Sequence, residues 1–173
     1  MNHILIASRR RFGVSSDVIQ FRLFLKYWLP VLVWMALIFT GSSDSHSSEH
    51  SSRFIVPLLH WLFPEMSPEH VEDIHFFIRK CAHLTEYAIL GLLVWRALHQ
   101  SKNDLPAWSW PKVGGTLLVV FLYATSDEIH QIFVPTRTAR FWDVVIDTLG
   151  AAIALLALWL FRHLPKRHRP PRT

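Results

Sequence analysis

Four apolar segments of this chain approach the length of a membrane span, and in three of them ionisable side chains stand where the span would have to continue. The segments are Tyr27 to Thr40, Cys81 to Leu98, Val113 to Ser126 and Phe141 to Phe161. A helix needs about 20 predominantly apolar residues to cross a hydrocarbon core of roughly 30 Å. The last three reach that length only if His83, Glu86, Asp127, Glu128, Asp143 and Asp147 lie inside the membrane or at its edge. A soluble four-helix bundle would instead show polar positions every third or fourth residue along an outer face. The stretches FLYATSDEIH, AILGLLVW and GAAIALLALWLF have no such face. The expected fold is therefore all-α: an integral membrane four-helix transmembrane bundle, built as one domain with helices at about 22–42, 79–99, 112–132 and 141–162. A basic tail, 163–173, follows.

Composition removes other classes. A hydrophobic share of 51% with six Gly excludes a disordered or collagen-like chain. Cys81 is the only cysteine, so neither an intramolecular disulfide nor a Cys-rich zinc site can form. Arg9 to Arg11, the first apolar segment and the small residues Thr40-Gly41-Ser42-Ser43 could be read as a leader peptide. Such a leader would greatly exceed the usual length of about 15 to 30 residues, so a retained first helix is expected.

The formal net charge of +5 has a geography. Arg9, Arg10, Arg11, Arg22 and Lys26 precede or open the first segment; Arg96, Lys102 and Lys112 surround the second connection; Arg162, Lys166, Arg167, Arg169 and Arg172 close the chain. Counting only Asp17 and Asp104 against these 13 basic residues leaves +11, and the remainder of the chain carries −6. The positive-inside rule then places both termini in the cytoplasm. Trp28, Trp95, Trp108, Trp110 and Trp159 fall near the inner interface, and Trp61 and Trp142 near the outer one. The tail HLPKRHRPPRT resembles a nucleic-acid-binding run, but directly after a span its expected partners are anionic lipid headgroups and not nucleic acid.

The first outer loop, about Ser42 to Arg79, is long. It opens on the Ser-rich, mobile-looking stretch GSSDSHSSEHSS and continues with RFIVPLLHWLF, expected as a short helix at the membrane surface. Ser67-Pro68-Glu69 has the order of a helix start, with Ser as N-cap, Pro at the first helical position and an acid in the first turn. The second span is thus expected to begin outside the membrane near Pro68. His46, His50, His60, His70 and His75 are read as solvent-facing loop residues, and Cys81 as a small packing residue. Tyr87, Leu90 and Gly91 are expected to set helix packing, Gly91 by allowing close approach.

At about 1.5 Å per residue, His83 lies roughly 20 Å from Arg96, Glu128 roughly 24 Å from Lys112 and Asp147 roughly 22 Å from Arg162. Three helices thus bring ionisable groups to one depth in the outer half. His83 with Glu86, Asp127 with Gln131, Glu128 with Gln131, and Asp143 with Asp147 are each spaced i,i+3 or i,i+4, on one helix face. Charged groups at such depth cost a few kcal/mol and should face one another inside the bundle. Asp143 and Asp147, one turn apart, cannot both be comfortably ionised unless a cation sits between them. Arg137, Arg140, Arg79, Lys80, His83 or a metal ion would serve.

The stretches Arg79-Lys80-Cys81-Ala82-His83-Leu84-Thr85-Glu86-Tyr87 with Leu90-Gly91, then Ser126-Asp127-Glu128-Ile129-His130-Gln131, then Pro135-Thr136-Arg137 with Asp143, Asp147 and Gly150, resemble the VanZ-like family of bacterial membrane proteins. The Ser42-Ser43 pair is similar to that family too, and the resemblance runs from about Trp28 to Leu160. In that family Asn often stands at the position of Asp147 and Gly at that of Thr136. The resemblance implies a four-span inner-membrane protein, and its founding member is associated with resistance to the glycopeptide antibiotic teicoplanin.

Two main readings of the polar residues follow. In one they form an outer-leaflet site that binds or processes a lipid-linked or cell-envelope substrate. There His83 or Glu128 would serve as general acid or base, with Glu86 orienting His83. Lys80, Asp127, Gln131, Asp143 and Asp147 would contact substrate, and Arg137, beside two Thr hydroxyls, would hold a phosphate. A metal version would use His83, Glu86, Glu128, Asp143 and Asp147 to hold a divalent ion as cofactor, although no HExxH-type pairing is present. In the other reading the same residues only hold the helices together. A small transporter is a third reading, made harder by four short spans with no repeat.

Overall fold

The computed structural model describes residues 16–43, 47–99, 108–134 and 140–164, and among them it contains five helices and no strand. These are α1 (Ser16–Ser43), α2 (Ser47–Leu62), α3 (Pro68–His99), α4 (Trp110–Gln131) and α5 (Phe141–His163). The starts of α3, α4 and α5 are marked in the sequence. The hydroxyl of Ser67 accepts the His70 N–H at 3.4 Å and meets His70 Nδ1 at 2.6 Å, while Pro68 opens α3 and Glu69 sits in its first turn. Arg96 and His99 close the other end of that helix, so charge complements the helix dipole at both termini. Ser109 enters α4 in extended conformation, and its carbonyl accepts the amides of Lys112 and Val113 just after Pro111. Arg140 plays the same part ahead of α5.

The first connection differs from expectation at its start. Helix α2 begins at Ser47, inside the Ser-rich stretch, and is not confined to the apolar RFIVPLLHWLF. Serine disfavours helix interiors because its hydroxyl competes for backbone hydrogen bonds, but it is well tolerated in an opening turn. The apolar half of α2 leans on α3 and leaves Leu58, Trp61 and Leu62 exposed.

Cross-helix contacts fix the direction of every long helix. Trp34 Nε1 donates to the Glu86 carbonyl at 2.9 Å, and Arg96 lies over the Tyr27 ring, so α1 and α3 are antiparallel. Tyr123 OH donates to the Met35 carbonyl and Gln131 reaches Ser42, so α1 and α4 run parallel. Lys80 meets Asp143 and His83 meets Asp147, so α3 and α5 run parallel. The order is up, down, up, down, with α3 touching every other helix and packing most extensively on α5. The core between them is formed by Tyr27, Val31 and Ile38 of α1, Tyr87, Leu90 and Val94 of α3, Val120 and Ala124 of α4, and Val144 and Ala151 of α5.

The outward faces are as apolar as the core. Leu29, Leu32 and Leu37 of α1, Leu118 and Leu122 of α4, and Leu149, Ile153, Leu156 and Leu160 of α5 are all exposed. Two helices, over Asp17–Ser42 and Phe141–His163, are long and apolar enough to cross a membrane. Cys81 is exposed as well, on the outside of α3 and not packed within the bundle as its small size suggested. A small side chain lies on either face of a helix at little cost, so its size does not determine its direction.

Helix α3 approaches α5 through two glycines. A Cβ on Gly91 would lie 2.7 Å from the Ala151 Cβ, and one on Gly150 would lie 2.3 Å from the Leu84 carbonyl oxygen. The close approach expected of Gly91 is present, and Gly150 is the tighter of the two because its obstacle is backbone. Gly150→Ala must push the helices apart, and overpacking of this kind costs about 1–3 kcal/mol. Its thermal unfolding midpoint should fall measurably below that of the parent, whereas Gly114→Ala, with open space around it, should leave the midpoint no lower than the parent's, because Ala is the better helix former.

Candidate functional site

The contact between α3 and α5 places two ion pairs one turn apart. Lys80 Nζ donates to Asp143 Oδ1, with both side chains about four-fifths buried, and one turn deeper His83 Nδ1 lies 3.8 Å from Asp147 Oδ1. The spacing 80 to 83 on α3 and 143 to 147 on α5 makes this possible. Two parallel helices in close contact keep i,i+3 and i,i+4 positions in register on facing sides. The side chains facing the Asp143/Asp147 pair are therefore Lys80 and His83.

Helix α4 supplies the second wall. Asp127 and Gln131 share a face, and the Gln131 amide donates to Asp127 Oδ2 at 3.2 Å and to Ser42 Oγ of α1 at 2.6 Å. Glu128, one position on, turns toward α5, where its Oε2 accepts the Arg140 backbone amide at 2.9 Å. That carboxylate sits at the N-terminus of α5, where the free amides and the helix dipole favour negative charge. Asp127, Glu128 and Asp147 keep only 2%, 7% and 2% of their surface exposed. Such burial requires partners, and each of the three has one.

One side chain in this region was read from sequence as packing alone. Tyr87 is fully buried and its ring packs beside that of Tyr123 at 6.1 Å, as expected. Its hydroxyl, however, lies in the electrostatic field of Asp127, Asp147 and Glu128 and has no hydrogen-bond partner among the described residues. The i,i+4 spacing of His83 and Tyr87 on one helix face was the available signal.

The remaining candidates fall into place around this cluster. Glu86 is half-buried, and its backbone carbonyl accepts from Trp34. His83 has Asp147 beside it on the α5 side. His130 stacks on Phe39 at 4.3 Å, on another face of α4. Arg137 lies outside the described residues, and the side chain of Arg140 is exposed. His75, in the N-terminal part of α3, is half-buried, and burial together with the neighbouring Arg79 holds its imidazole below the ordinary value. Among the described residues no group of three or more His, Cys, Asp and Glu is arranged to hold a metal ion. The chemistry available is that of hydrogen bonding and proton exchange among carboxylates, an imidazole, an ammonium and a phenol.

The opposite end of the bundle is aromatic and basic. Trp95 and Trp108 pack at 4.8 Å, Trp108 and Trp110 at 5.7 Å, and Trp159 borders the same apolar space as Trp108 and Trp110.

If Lys80 and Asp143 form a working pair across α3 and α5, a double-mutant cycle of Lys80→Met and Asp143→Leu should report it. Unfolding of the four proteins in the cycle should give a coupling of about 0.5–3 kcal/mol, the range for residues in direct contact. A value near zero would mean that water screens the pair.

The VanZ/LLP1 family model matches residues 27–162. No curated protein and no solved structure matches the chain. The family match takes in α1 from Tyr27 onward, the whole of α3, α4 and the α3–α5 contact, and every residue of the cluster from Ser42 to Asp147. On that extent the chain belongs to the VanZ/LLP1 family.

Proposed function

We propose that this protein is a four-span bacterial inner-membrane protein with both termini cytoplasmic, and that its outer end binds or processes a lipid-linked or cell-envelope substrate. Support for the membrane reading comes from the apolar outward faces of α1, α4 and α5, which in water would be an aggregation liability. An up-down-up-down order brings both ends of the chain to one side, the side of Arg96, Lys112 and Arg162. The Trp-rich, basic end then lies at the inner interface and the polar cluster in the outer half.

The observation that carries the functional reading is the convergence itself. Ser42 of α1, Lys80 and His83 of α3, Asp127, Glu128 and Gln131 of α4, and Asp143 and Asp147 of α5 meet at one end of the bundle. Intramembrane ionisable groups are expensive, and their concentration at one level favours a site over scattered structural use. In this reading Asp147 orients His83, which exchanges a proton with substrate, Glu128 is the second acid or base, and Arg137 holds a phosphate from the outer loop. The family resemblance adds glycopeptide protection as the cellular readout. A second reading, that the cluster only joins the helices, draws on the cross-helix pairing of Lys80 with Asp143 and of Gln131 with Ser42.

Two measurements separate these. In a Cys81→Ser background, Ser67→Cys should react with an impermeant maleimide in intact cells, and Thr173→Cys only after permeabilisation. His83→Ala, Glu128→Ala and Arg137→Ala should each remove teicoplanin protection while the protein remains at parental abundance in the membrane fraction. Loss of the three proteins from the membrane would support the purely structural reading, and full protection by all three would overturn the site.

A further inference from the structure

A second site lies at the other end of the molecule, away from the polar cluster. Between α3 and α5, Leu92 faces Ala154, Ala157, Leu158 and Phe161 across a groove of about 580 Å³, with Arg162 and Leu164 at its end. Ala154 and Ala157 are one turn apart and open the groove by being small. Apart from the guanidinium at its end, the groove's side chains are apolar.

The dimensions match one lipid leaflet. From Ala154 to Arg162 the helix rises about 12 Å, close to half of a hydrocarbon core about 30 Å thick. The volume is within the range of about 300–1,000 Å³ for small-molecule sites. With α5 spanning as proposed above, Arg162 sits at the inner interface and the apolar length reaches toward the midplane. It stops short of Asp147, a further two turns up the helix, so the groove and the polar cluster are separate. An occupant must therefore be an amphiphile, with an apolar chain about a leaflet long and an anionic head at one end. Guanidinium pairs well with phosphate through parallel N–H donors.

We propose that this groove seats one acyl chain of an inner-leaflet anionic glycerophospholipid whose phosphate is held by Arg162. The inference rests on the membrane reading of α5 but not on any role of the polar cluster. Charge complementarity favours a lipid over a second copy of the chain. A copy approaching with the same orientation in the membrane would bring its own Arg162 to the same depth.

Native mass spectrometry of the purified, delipidated full chain tests this, using phosphatidylglycerol and phosphatidylcholine of identical acyl composition. One phosphatidylglycerol adduct should persist at collision energies that strip phosphatidylcholine. Arg162→Ala should lower its occupancy about fivefold, the worth of one basic contact near a charged headgroup. Ala157→Trp, at an exposed position that fills the groove, should remove retention of both lipids. Neutralising Lys166, Arg167, Arg169 and Arg172 together should leave the adduct in place. Adducts unaffected by Arg162→Ala and Ala157→Trp, or lost only with the tail charges, would overturn the seat. So would a dimer that Ala157→Trp disrupts, since a second copy would then occupy the groove. A chain that purifies from the soluble fraction without detergent would instead overturn the membrane reading on which the seat depends.

Discussion

The close passage of α3 over α5 governs the rest of this molecule. Gly91 against Ala151 and Gly150 against the Leu84 carbonyl bring two parallel helices nearer than ordinary side chains permit. Small residues at helix contacts allow dense backbone packing, the attractive term that remains available when lipid is as apolar as the helices. At that separation the facing side chains near the top of both helices are forced together, and Lys80, His83, Asp143 and Asp147 form two stacked pairs. A wider α3–α5 spacing would leave Asp143 and Asp147 as like charges one turn apart with no cation in reach. Packing and electrostatics are therefore one device here, not two.

Much of this was legible in the chain. Helix positions follow from apolar segments with marked starts, of which Ser67-Pro68-Glu69 is the sharpest, and it opens α3 well outside the expected span. The shared depth of His83, Glu128 and Asp147 follows from counting rise along each helix. What counting along a helix does not give is azimuth. Asp127 and Glu128 are neighbours in sequence at nearly the same depth. Yet Asp127 turns to Gln131 and thus toward α1, while Glu128 turns to the start of α5. The rotation of α4 and the crossing of its neighbours decide this, and neither is a property of one segment. The same reason explains why Cys81 faces outward.

Glu128 shows how a structural duty and a chemical one can share a side chain. Its carboxylate caps α5 by accepting the Arg140 amide, a sufficient reason for a buried acid at that place. A cap uses one oxygen. The other carboxylate oxygen remains available to the cluster in which Asp143, Asp127 and Lys80 act on the same group. Anchoring by α5 would also fix the carboxylate's position, and a proton-transfer group needs such fixation.

Tyr87 discriminates most sharply between a cluster that only holds helices together and one that acts on something. A buried hydroxyl without a hydrogen bond costs about 1–3 kcal/mol. Phenylalanine would fill the same space, keep the ring contact with Tyr123 and avoid that cost. The hydroxyl lies instead among three buried carboxylates, where it can donate to one of them or to a group brought in from outside. Lys80 and Asp143 satisfy each other and need no such group. On the reading proposed above, the site would centre on Tyr87, Asp127 and Asp147, with His83 at its edge, and not on the pair of Lys80 with Asp143.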